Sequence, residues 1–155
     1  MKTIEEIKKE YLEFSKEQAE KCKKLIQVLK QEDKEDEANL EKVKLNIYEI
    51  FESLITASEK KVLNQRNKTE KEKTAAFCEE FLVFFDKIPA NWRVNYEKAK
   101  EYNDVAQYVI EENKLSVAEQ LKNHFNLIRE ADLPVSAGVG APAEMPRSGN
   151  EVMSK

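Results

Sequence analysis

His124 is the only imidazole in the 155-residue chain, and Cys22 and Cys78 are the only thiols. Those three side chains bound the metal and nucleophile chemistry open to the sequence. A diiron carboxylate site built on helices needs Glu-x-x-His pairs, so that both ligands share a face. The residue three before His124 is Leu121, which excludes that dinuclear arrangement. Cys22 and Cys78 are far apart and form no Cys-x-x-Cys pair, so a zinc knuckle lacks its ligands. A serine or cysteine nucleophile would depend on His124 as its base, and no local signature links the two. His124 is therefore expected on the surface or near a helix end, and no metal or cofactor is expected.

Two other classes of chemistry have their own requirements. Phosphate cradles need glycines, because backbone N–H groups must approach the anion closely. All three glycines, Gly138, Gly140 and Gly149, lie after Leu133, so nucleotide-binding loops are absent before that point. Carboxylate pairs such as Glu79–Glu80 and Glu111–Glu112 occur, but among 30 acidic residues adjacent acids are inevitable. Solvation or a surface ion pair is the expected fate of Glu79 and Glu80.

One group has the composition of a binding surface. Trp92, Arg93, Tyr96 and Tyr102 stand in the stretch "DKIPANWRVNYEKAKEYND", which holds the only tryptophan and the only proline before position 134. Aromatic side chains and arginine combine a large contact area with a polar handle, and they are enriched at binding hot spots. Trp92, Tyr96 and Tyr102 also align with Ala99 on one side of a helix, as in a short helix laid across a bundle end. The joint between helices is the main reading, and a partner or ligand surface is the compatible second one.

The elements that position these residues are set by where helix breakers stand. The first 133 residues contain no glycine and one proline, Pro89, so long helices joined by polar turns are expected. A first helix from Thr3 to Gln31 starts at a capping box of Thr3 and Glu6. Its stripe is Ile4, Ile7, Tyr11, Phe14, Cys22, Leu25, Ile26 and Leu29, within about 120° of arc. "KQEDKEDE" reads as a solvated reversal. A second helix, Asp36 to Gln65, carries Leu40, Val43, Ile47, Ile50, Phe51, Leu54 and Ile55. A third, Glu70 to Lys87, opens on a box of Thr69 and Glu72 and is apolar over nearly half its circumference, as a central helix would be. It stops at Ile88–Pro89, because proline disfavours helical geometry in the preceding residue and has no N–H. A fourth covers Ala90 to Tyr102. Asp104 with Gln107 caps the next helix, whose apolar face changes along its length. Val105, Tyr108, Val109 and Leu115 point one way, and Ile110, Val117, Leu121, Phe125 and Ile128 point nearly opposite. A break near Asn113 to Ser116 is expected, because Ser116 and Glu119 offer another capping pattern there.

The fold class predicted is all-α: a single-domain bundle of five to six antiparallel helices over residues 1–133. Residues 134–155, "PVSAGVGAPAEMPRSGNEVMSK", carry only four charges and no aromatic side chain, and are expected to form a flexible tail. The net charge of −4 comes from 26 basic and 30 acidic residues thoroughly mixed, which disfavours a polyphosphate partner. A helix-turn-helix reading of the fourth and fifth helices fails on the same ground, since "DVAQYVIEENKL" has more acids than bases. No run approaches the length of a membrane span, and the N-terminus lacks the apolar core of a signal peptide. A cytoplasmic location with reduced, buried thiols is expected. By elimination the chain reads as a non-catalytic interaction, adaptor, immunity or regulatory module with a protein partner or itself as a homodimer. The alternative is a small-molecule binder or enzyme with a pocket near Trp92, Tyr96 and Tyr102.

Overall fold

A computed structural model describes residues 2–130, and these are all-α, with no strand among them. The elements are α1 (Ile4–Gln31), α2 (Glu35–Leu63), α3 (Glu70–Lys87), α4 (Ala90–Glu101) and α5 (Val105–Glu130). The tail expected from residue 134 onward lies outside the described residues.

Helix starts obey local chemistry. Thr3 Oγ1 accepts from the Glu6 N–H while the Glu6 carboxylate accepts from the Thr3 N–H, so two donors orphaned at the helix end are satisfied together. Thr69 and Glu72 repeat the arrangement at α3, and Asp104 accepts from the Gln107 N–H ahead of α5. Two turns between helices are closed without glycine. In the first, Lys34 N–H donates to the Leu29 carbonyl at 2.8 Å and Asp33 N–H to that of Lys30 at 3.1 Å. In the second, Asp104 N–H donates to Ala99 at 2.8 Å and Asn103 N–H to Lys100 at 3.3 Å. Both are Schellman endings, which require one left-handed residue. Asp33 (φ 61°) and Asn103 (φ 56°) supply it, being among the side chains that best tolerate that conformation. The reversal at "KQEDKEDE" is thus formed, and the two stripes belong to separate helices.

At Pro89 the helical ladder is interrupted but the backbone stays right-handed. Ile88 has φ −67° and ψ −46°, and Pro89 has φ −77° and ψ −6°. Pro89 cannot donate, so one bond is lost, yet Ile88 N–H still reaches the Phe84 carbonyl and Arg93 N–H reaches that of Pro89. α3 ends as expected, and α4 begins after the two intervening residues, Ile88 and Pro89.

Phe81 is fully buried and has four aromatic neighbours: Phe125 at 4.8 Å, Tyr11 and Phe85 at 5.0 Å, and Phe51 at 6.4 Å between centroids. These edge-to-face contacts tie α1, α2, α3 and α5 into one core, each pair contributing about 0.5–1.5 kcal/mol beyond its buried area. Around it, Lys8 pairs with Glu59 at 2.7 Å and Lys61 with Glu80 at 2.8 Å. Lys2 Nζ donates to the Ile128 carbonyl at 2.9 Å, and Gln120 to Gln18 at 3.4 Å. α4 rests mainly on α5.

Two expectations are corrected. α5 is one continuous helix with no break at Asn113 to Ser116. Asn113 does not end it, because its side chain donates back to the Val109 carbonyl at 2.7 Å. The change of face is accommodated by two sets of neighbours: α4 along the first half, and α1, α2 and α3 around Leu121 and Phe125. Ser116 is exposed mid-helix, so its capping pattern is not used. Leu25 also leaves its stripe and is 42% exposed, whereas Ser15 on α1 is fully buried.

Candidate functional site

The aromatic group of α4 is divided by the fold. Trp92 is half-buried and packs against the core, while Arg93 is exposed. Tyr96 stacks on Tyr108 of α5 at 4.9 Å with 24° between planes. Its hydroxyl donates to that of Tyr108 at 3.5 Å, and Tyr108 donates to Glu112 at 3.4 Å. The Tyr96 hydroxyl and the nearby Glu112 charge push the Tyr108 phenol up to about 12. Tyr102 lies beyond the last turn as the C-cap of α4 and is 75% exposed. It lines a shallow depression of about 360 Å³ with Asn95, Lys98, Ala99, Asp104 and Gln107, and neither Trp92 nor Tyr96 joins it. Ala99 is buried, which brings α4 close to α5. The joint reading therefore describes Trp92, Tyr96 and Ala99, and Tyr102 stands apart from them.

Glu111 has a role its sequence context did not reveal. It is 1% exposed, the one buried carboxylate among the described residues. Oε2 accepts from Gln107 Nε2 and lies 3.5 Å from Lys114 Nζ, and Oε1 is buried with no hydrogen-bond partner. The Lys114 ammonium in turn sits 5.7 Å from the centre of the Trp92 ring, within cation–π range. The available signal was the spacing: Gln107, Glu111 and Lys114 share one side of α5. Of the other acids weighed, Glu80 pairs with Lys61, and Glu79 is exposed.

His124 lies flat on Phe14, with centroids 3.6 Å apart and planes 9° apart. Burial lowers its pKa below the ordinary value, and the Glu10 carboxylate opposes the shift. Cys22 and Cys78 are free and buried. Burial, reinforced by Glu41, pushes the Cys22 thiol up to about 11, and burial raises Cys78 as well. Thiols so shifted stay protonated near neutral pH and are poor nucleophiles. Among the described residues no group of three or more His, Cys, Asp and Glu side chains is arranged to hold a metal ion.

A more apolar opening than the one beside Tyr102 lies elsewhere in the described surface. A groove of about 410 Å³ runs between Asp36, Asn39, Leu40 and Val43 of α2 and Val105, Ala106, Val109 and Ile110 of α5. On α2 the lining residues span seven positions, about two turns or 11 Å, and on α5 five positions, about one and a half turns. Leu40 and Val43 belong to the stripe that α2 buries further along at Ile47, Phe51 and Ile55, but here they are only half-buried. Val105 is 68% exposed. Asp36 is the one charged residue lining it, Glu35 and Glu37 flank Asp36 in the first turn of α2, and Glu32 and Asp33 stand in the preceding turn with Lys34, so this end of the groove is acidic. Periodicity placed Leu40 and Val43 on the apolar face; it could not show that the bundle leaves them uncovered.

Compared with protein-family models, with curated proteins and with solved structures, the chain gives no match.

Proposed function

We propose that the protein is a non-catalytic interaction module of the adaptor, regulatory or immunity type, which binds a protein helix in the groove between α2 and α5. The observation that carries this reading is the α2 stripe continuing past the core, with Leu40 and Val43 facing Val105, Val109 and Ile110 across an open channel. An amphipathic helix laid there would bury apolar area at about 25 cal/mol per Å². The acidic end of the groove favours an occupant with basic residues flanking its apolar face.

The architecture in this reading is an antiparallel bundle in which α3 and α4 act as two segments of one rod. Lys8 with Glu59, Lys16 with Glu52, and Tyr96 with Tyr108 support that order, since early residues of one helix meet late residues of the next. Both hairpin turns then lie at the groove end. The buried free thiols are in keeping with a cytoplasmic protein. A small-molecule pocket near Trp92, Tyr96 and Tyr102 has less support, because the three residues do not line one opening.

The test is fluorescence anisotropy with a labelled synthetic helical peptide carrying Leu and Val three residues apart, flanked by lysines. Saturable binding that weakens with salt and is lost in Val109→Glu supports the proposal. Absence of binding at high micromolar protein, or binding unchanged in Val109→Glu, removes it.

A further inference from the structure

We propose that the natural occupant of the α2–α5 groove is a second copy of this chain, docking through the Leu25–Val28 face of α1. The inference rests on the interaction reading above and names its partner.

Leu25 and Val28, in the last two turns of α1, are 42% and 47% exposed, unusual for large aliphatic side chains of an amphipathic helix. Among the described residues they are the one pair of exposed large apolar side chains three apart on a single helix. Leu63, Val83, Val94 and Leu127 each stand alone. Lys21, Lys24, Leu25 and Val28 fall within about 100° of arc, so the apolar pair carries lysines along its edge. Two anchors at i and i+3 occupy a little under one turn, which fits within the one and a half to two turns of the groove walls.

Charge supplies the complement. Lys24 and, on the groove, Asp36 have no ion-pair partner among the described residues, while Lys21 makes only an exposed 3.8 Å contact with Glu17. A basic-edged apolar pair thus matches an apolar channel with an acidic end on the same chain. Both lie toward the same end of the molecule, since Cys22 of α1 interacts with Glu41 of α2. A two-fold arrangement uses both features twice: each copy offers one groove and one α1 face, which closes the dimer and leaves neither patch exposed.

Sedimentation equilibrium of the full chain from micromolar to millimolar concentration tests the proposal. The wild type is expected to form a dimer, and Leu25→Glu and Val109→Glu each to weaken it at least about tenfold by placing a carboxylate against apolar surface. Val83→Glu, far from both patches, should leave it unchanged, and circular dichroism checks that each variant is folded. Lys24→Glu and Asp36→Lys should each weaken the dimer, and the chain carrying both should recover it. A wild type that stays monomeric at millimolar concentration overturns the proposal, as does a dimer indifferent to Leu25→Glu. If that monomer still captures the lysine-flanked peptide, self-association falls while the interaction module stands. If it captures nothing, both fall.

Discussion

The Lys114 ammonium is held between the Glu111 carboxylate, 3.5 Å away, and the Trp92 ring, whose centre is 5.7 Å away. Glu111 and Lys114 belong to α5 and Trp92 to α4, so the charge pair fastens the one helix that rests mainly on a single neighbour. The buried carboxylate is tolerable because Gln107 and Lys114 both serve it.

Lys114→Met should therefore be more damaging than its half-exposed position suggests. It leaves the Glu111 charge buried with one hydrogen bond, and a loss of about 1–3 kcal/mol is expected. Glu111→Leu combined with Lys114→Met should recover most of it, because no buried charge remains. Chemical denaturation followed by the fluorescence of Trp92, the only indole, measures both. Equal losses in the single and double variants would argue against the clasp.

The continuity of α5 makes Ser116 a sensitive exposed position. Ser116→Pro removes a helical hydrogen bond and clashes with the carbonyl of Glu112, so it should lower stability by about 3 kcal/mol or more. Ser116→Ala should be neutral or slightly stabilising. Had the chain broken there, proline beside the cap would have been tolerated. Thermal unfolding of the two variants separates the cases.

His124 gives the fold a pH dependence of defined sign. Its pKa in the folded protein lies below the ordinary 6.5, so the unfolded chain takes up the proton first as pH falls. The stacked neutral ring therefore contributes fully above about pH 6.5, and the contribution declines as pH drops below it. Glu10 favours the protonated ring and makes the decline shallower. His124→Phe keeps an aromatic ring on Phe14 without the titration. The stability difference between wild type and this variant should shift against the wild type from pH 7.5 to 5.5. A difference that stays constant over that interval would contradict the burial of the neutral ring.

Much of the fold was legible because its signals are local. Thr3 with Glu6, Thr69 with Glu72, and Pro89 each act through the backbone within four residues, and all three operate where expected. The features that stayed hidden depend on which neighbour covers which face. Leu25 and Leu40 carry the same periodic signal as Ile26 and Ile47, yet are less buried, because the covering helix lies elsewhere. Glu111 reads as one acid among 30 in the sequence, and only its burial in the folded chain sets it apart. The change of face after Asp104 was visible, but a break and a change of partners produce the same pattern in one chain. Trp92 and Tyr96 pack where α4 meets its neighbours, whereas Tyr102 falls at the Schellman turn and so leaves their stripe.

Methyl NMR of the leucine, valine and isoleucine side chains, recorded while the groove is being filled by a second copy or by the lysine-flanked peptide, addresses the account most directly. Shifts concentrated on Leu40, Val43, Val105, Val109 and Ile110, with Val83 and Val94 unmoved, are the predicted result. Shifts that fall on Val83 and Val94 and spare the α2–α5 groove would contradict it.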